Sequence, residues 1–226
     1  MAQIQPVIAR SRPLESTLAT NKLIRNTYML LSMTLLFSAA IATFSVLLHM
    51  PPMTYLLGIG GAFILMVFVL PRTANSAAGL YVVFAITGLM GFAIGPLLNM
   101  YLALSNGPQI VATAFGGTAA IFLGLSGYAL TTRKDFSFMG GFLFVGFLVI
   151  LMAALANIFL AIPALTLAIS SAVIFIMSGF ILYDTSRMLH QPQSTNYLLM
   201  TVSLYLNIFN IFINLLSILG IMGGDD

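Results

Sequence analysis

Seven runs of about twenty apolar residues, none interrupted by Lys, Arg, Asp or Glu, leave this chain little choice of solvent. Their bounds are 26–48, 53–70, 77–98, 110–130, 138–160, 165–183 and 197–221. At 1.5 Å rise per residue each run is long enough, as a helix, to cross a hydrocarbon core of about 30 Å. A water-soluble globule carries roughly a quarter charged residues, whereas this chain is 60% hydrophobic and 6% charged. The expected fold is an all-α integral membrane protein, a bundle of seven transmembrane helices that takes up most of the 226 residues. Residues 1–25 read as a flexible cytosolic tail, 26–222 as the membrane domain and 223–226 as a short outer tail.

The cations orient the bundle. Arg10, Arg12, Lys22 and Arg25 precede the first run, and Arg72, Arg133 with Lys134, and Arg187 fall in the second, fourth and sixth gaps. The odd-numbered gaps and the C-terminal tail hold none. Short loops rich in Lys and Arg stay in the cytosol, so the N-terminus is expected inside and the C-terminus, with Asp225 and Asp226, outside. The net charge of +3 is thereby a topology signal and gives no reason to expect a nucleic-acid partner. Residues 26–48 exceed the core of a signal peptide and read as a retained helix. The absence of Cys excludes disulfides, thiolate metal sites and a cysteine nucleophile.

Pro51, Pro52, Pro71, Pro108 and Pro163 punctuate the gaps, which implies short loops and antiparallel neighbours. Within the spans, Gly88, Gly91 and Gly95 share one helical face, as do Gly117, Ala120, Gly124 and Gly127. Small residues let helix backbones approach in lipid, so both rows are expected to be packing seams. Pro96 is expected to kink or end the third helix.

Ser203, Asn207, Asn210, Asn214 and Ser217 follow one another at spacings of four, three, four and three, a single polar stripe on the last helix. Amides facing hydrocarbon would lose several kcal/mol each, by rough transfer estimates, so the stripe must face the bundle interior or a wet cavity. Helix seven is therefore expected at the centre, with the stripe serving interhelical hydrogen bonding or a transport role. Asp184 is the one acidic residue near any span. It reads either as an intramembrane gate or pH sensor, or as an interfacial carboxylate paired with Arg187, Arg72 or Arg133. Enclosed, it would be a proton-sensitive latch.

Two enzyme readings fail on missing partners. Gly124 to Gly127 spell the G-x-S-G of rhomboid intramembrane proteases, but Ser126 has no histidine on a later span to act as base, since His49 and His190 lie in gaps. Tyr183 and Asp184 match the Y-D of presenilin-type aspartyl proteases, which need a second membrane-embedded acid, and the chain has none. No metal cluster, phosphate loop or cofactor fingerprint occurs in the sequence either, and neither an enzyme nor a cofactor is expected.

Taken together, K-L-I-R-N-T-Y from Lys22 to Tyr28, G-P-L-L-N-M-Y from Gly95 to Tyr101, T-T-R-K-D-F-S-F from Thr131 to Phe138, N-I-F-L from Asn157 to Leu160, Ile181 to Thr185 and Thr195 to Leu219 resemble the Bax inhibitor-1 family of seven-span membrane proteins. Within it, the likeness is to the bacterial YccA-like branch, and it covers nearly the whole chain. The resemblance implies a protein of the bacterial inner membrane that binds and restrains FtsH, the membrane-anchored ATP-dependent protease, as inhibitor or resistant substrate, alone or together with the protease's prohibitin-like regulators.

A second role in the family is a pH-sensitive calcium or cation leak, in which an aspartate on helix six and one on helix seven hold a closed latch. Asp184 aligns with the first, and Arg72 with the family's basic latch residue. The family's L-Y-L-D-x-x-N here reads Leu204, Tyr205, Leu206, Asn207, Ile208, Phe209, Asn210, so the second acid is absent. One carboxylate with one amide offers a hard cation less charge and no coupled proton step. Calcium therefore ranks behind the protease. Asn207 is expected about 10 Å deeper than Asp184, from helical rise and the bounds above.

Overall fold

In lipid every backbone N–H and C=O must find a partner within the protein, which restricts single spans to helices. The computed structural model describes residues 12–223, and among them seven helices are long and apolar enough to cross a membrane. They are α1 (Arg12–Leu47), α2 (Met53–Thr73), α3 (Ala78–Leu102), α4 (Gly107–Thr132), α5 (Gly140–Leu160), α6 (Pro163–His190) and α7 (Tyr197–Gly223). Two 3₁₀ turns, Ser137–Met139 and Pro192–Ser194, lead into α5 and α7.

Several helices overrun their apolar runs. α1 begins at Arg12, ahead of the bound at Asn26, and its extra turns are anchored by the buried Leu23 and by Ile24 packed on the core. The expected tail is thus helical from Arg12, and its first eleven residues, Met1–Ser11, lie outside the described part. α6 runs past Tyr183 to His190, with Met188 fully buried.

Proline punctuates less sharply than expected. Pro108 and Pro163 do open α4 and α6, where a missing N–H costs nothing. Pro71, by contrast, is absorbed within α2 after a π turn at Leu65–Val69. Carbonyls loosened there are taken by side chains: Arg72 donates to Phe68 O at 2.5 Å and Thr73 Oγ1 to Val69 O at 2.9 Å. Pro96 likewise lies inside α3 and does not end it. It denies an amide to the Phe92 carbonyl, one turn back, and Ser45 Oγ of α1 supplies the missing donor at 2.7 Å.

α7 packs against α1, α3, α4 and α6, and α3 against α1, α2, α4 and α7. The centre predicted for helix seven is therefore shared with α3. At the periphery α5 rests mainly on α6 and is the least buried span. Glycine explains the closest contact. A Cβ on Gly91 would strike the Ser38 carbonyl, one on Gly95 would strike Ser45, and one on Gly88 would come within 2.9 Å of the Phe37 ring, so the first seam joins α3 to α1. The second seam holds only in part. Gly117 meets Leu215 of α7, but a Cβ on Gly124 or Gly127 would touch nothing within 4 Å. These two face outward because α4 turns its buried face, Ala114, Thr118, Phe122 and Ser126, toward the bundle.

Candidate functional site

Asp184 is buried on α6, 3% exposed, six residues before the end of a helix that was expected to stop beside it. Two neighbours on one face of α7 reach its Oδ2: Ser203 Oγ donates at 2.6 Å and Asn207 Nδ2 at 3.0 Å. Their spacing of four residues places both side chains on the same stripe one turn apart, which lets a single carboxylate oxygen receive both. Asn207 is therefore not far below Asp184, as the shorter helix six implied. The extension to His190 sets Asp184 about 9 Å inside α6, and the compact turn at Pro192–Ser194 brings α7 back at a matching depth.

The arginines do other things. Arg187 lies with its guanidinium carbon 5.6 Å from the centre of the Tyr183 ring, and Arg72 holds the Phe68 carbonyl of its own helix. Hydrogen bonds to Asp184 among the described residues come from Ser203 and Asn207, not from either cation. An arginine on a helix end extends toward water more cheaply than it bends back into the bundle.

Beside the clamp, the Tyr28 hydroxyl of α1 lies 3.2 Å from Thr185 Oγ1, and its ring centre lies 6.0 Å from that of Phe122 on α4. Polar side chains of α1, α6 and α7 thus converge on one patch. A second crossing lies deeper: Ser38 Oγ of α1 is 2.5 Å from the hydroxyl of Tyr205, which donates to the Thr87 carbonyl of α3 at 3.3 Å. Tyr205 is 1% exposed, an aromatic whose polar tip must find partners inside the protein. The basic end is closed by Asn196, whose Nδ2 donates to Ala74 O and Asn75 Oδ1, both at 2.9 Å, while its Oδ1 caps the Leu198 amide at 2.8 Å.

The rest of the stripe behaves differently. Asn210 and Asn214 donate to carbonyls of their own helix, Leu206 O at 2.9 Å and Asn210 O at 2.8 Å, and Ser217 meets Ser170 of α6 at 3.4 Å. Tyr28, Thr185, Ser38, Tyr205 and Asn196 were not singled out from the sequence. Tyr28 and Thr185 are 157 residues apart and Ser38 and Tyr205 are 167 apart, so periodicity on one helix could not pair them.

Outside the spans, Asp135 joins the connector after α4 to α6. Its carboxylate takes the Ser137 amide at 2.9 Å and lies 3.4 Å from Ser186 Oγ, which accepts the Phe136 amide at 2.8 Å. The Ser137 side chain and then its backbone N–H hold the Asp135 carboxyl below the usual carboxylate range. His190 directs Nδ1 at Ser186 and His49 at Leu47 O, so neither imidazole serves Ser126.

These features define a class: a seven-helix membrane protein stitched at its basic end by one buried carboxylate that an amide and a hydroxyl from the central helix hold in place. The signature of the family described as "Inhibitor of apoptosis-promoting Bax1" matches residues 20–224. The chain is 48% identical over 219 residues to the Escherichia coli K12 protein named "Modulator of FtsH protease YccA", covering 97% of this chain and 99% of that one. A counterpart from Escherichia coli O6:H1, also 48% identical over 219 residues with the same coverage, is named "Inner membrane protein YccA". A membrane protein of Vibrio cholerae is 49% identical over 221 residues, covering 98% of this chain and 99% of its own. The chain belongs to the Bax inhibitor-1 family, and it is a multi-pass protein of the inner membrane.

Proposed function

We propose that this chain modulates a membrane-anchored ATP-dependent protease of the FtsH type and performs no catalysis itself. The observation that carries this reading is the 48% identity, over almost the full length of both chains, to the protein named as a modulator of that protease. A bundle whose helices are tied across their interior by Asp184, Asn207 and Tyr205 has the character expected of a client that a protease engages but extracts slowly. Pulling such a helix out would expose polar groups to lipid before they could find other partners.

In this reading the N-terminal segment lies in the cytosol, where the protease's unfolding machine grips it, and prohibitin-like regulators join the complex. The calcium-leak alternative is not favoured. Asn207 donates its amide to Asp184, so the pair holds at most one negative charge and shares no proton between carboxylates. The test is affinity capture of the full-length chain from native membranes with mass spectrometry, beside calcium flux in liposomes. Recovery of the protease, with no pH-dependent flux that Asp184→Asn abolishes, is expected. Failure to recover the protease, or a flux of that kind, overturns the proposal. Deleting residues 1–20 should weaken association and slow turnover, and unchanged values would remove the tail from the mechanism.

A further inference from the structure

A lateral groove of about 540 Å³ opens between α4, α5 and α6, outside the polar clamp. Its walls are apolar, with Ala120 and Gly124 from α4, Met139 from the 3₁₀ turn before α5, Phe142 from α5, and Phe175 and Leu182 from α6. Gly124 leaves it deep, because nothing else occupies the space where a Cβ would stand. Its depth is legible from helix rise. All three elements meet the basic end nearby, at Arg133 and Lys134 after α4 and at Arg187 on α6. Leu182 lies about 7 Å and Phe175 about 18 Å below Arg187, while Gly124 lies about 14 Å and Ala120 about 20 Å below Arg133. One leaflet contributes about 15 Å of hydrocarbon, so the groove begins in the leaflet beneath these cations and reaches the midplane at Phe175 and Ala120.

We infer that this groove holds an acyl chain of an anionic phospholipid whose headgroup phosphate is bound by Arg133 and Lys134, with Arg187 beside them. Charge and shape favour this occupant. Arg133 and Lys134 are exposed on the connector that leads from α4 to Met139 of the groove, and Lys134 O lies 3.4 Å from Ser186 Oγ, next to Arg187 in sequence; these three cations outnumber the charged Asp135 carboxylate by two. Basic residues grouped at the membrane surface each strengthen the hold on an anionic headgroup about fivefold. The groove is too narrow to enclose a second helix about 10 Å across, whereas an acyl chain is thin enough to run its length.

Native mass spectrometry of the full chain, released from micelles containing equal phosphatidylglycerol and phosphatidylcholine, tests the site. Phosphatidylglycerol is expected to be retained about thirtyfold over phosphatidylcholine, given roughly two net positive charges at the headgroup. The R133Q/K134Q variant, altered only on the exposed connector, should lower phosphatidylglycerol retention to that of phosphatidylcholine. Gly124→Leu, which fills open space, should reduce retention of both lipids, and thermal melts of the two variants confirm that each is folded. Equal retention of the two lipids, or retention untouched by both variants, would leave only a nonspecific lipid annulus and overturn the proposal. So would a dimer mass that Gly124→Leu abolishes, since a second copy would then be the occupant.

Discussion

The two halves of α7 carry the same kinds of polar residue on the same stripe and use them in opposite ways. Toward the basic end, Ser203 and Asn207 cross to Asp184 on α6, and Tyr205 ties α1 to α3. In the other half, Asn210 and Asn214 turn back onto carbonyls of α7 itself. Residue type and spacing cannot separate these fates. What separates them is the opposite helix: α6 presents a carboxylate to the first half and only small hydroxyls such as Ser170 to the second. An amide without an external partner satisfies part of its need locally, which keeps it out of hydrocarbon but binds no second helix.

That contrast can be broken by substitution, read as the stability of the purified protein to denaturant in micelles. Tyr205→Ala should have the largest effect, about 3–5 kcal/mol, since it empties a fully enclosed ring position and strands Ser38. Asn207→Ala should cost about 1–3 kcal/mol by withdrawing a buried donor from Asp184. Asn214→Ala should cost under about 0.5 kcal/mol, because no other helix loses a partner. Equal losses for Asn207→Ala and Asn214→Ala would erase the distinction between the halves.

The smallest effect is expected outside the membrane. Asp135 titrates below its ordinary value in the folded protein, so its contribution is complete above the unfolded value and fades as pH falls through the folded one. Melting temperature followed from about pH 6 down to about pH 3 should drop more for the native chain than for Asp135→Asn. Identical profiles would show that the connector does not anchor α6.

The sequence made the number of spans, the all-helical class and the family legible, because apolar length and loop charge report directly on a bilayer. Helix ends were harder to read. Arg12–Arg25 and Asp184–His190 are polar by composition yet continue their helices, since backbone pairing and contacts such as Leu23 and Met188 outweigh side-chain polarity there. The stripe on α7 was visible as a face, and Asp184 as an anomaly. That they meet depended on how far α6 runs. Gly124 and Gly127 share the spacing of a seam but face open space, because small residues permit a contact without providing its partner.

Asp184 and Asn207 are bound to each other and clamp α6 to α7. A double-mutant cycle with Asp184→Ala, Asn207→Ala and the pair measures that bond directly, by denaturant unfolding in micelles. A coupling of about 1 kcal/mol or more is predicted, toward the upper end of interhelical hydrogen bonds in membranes. Strictly additive losses would contradict it.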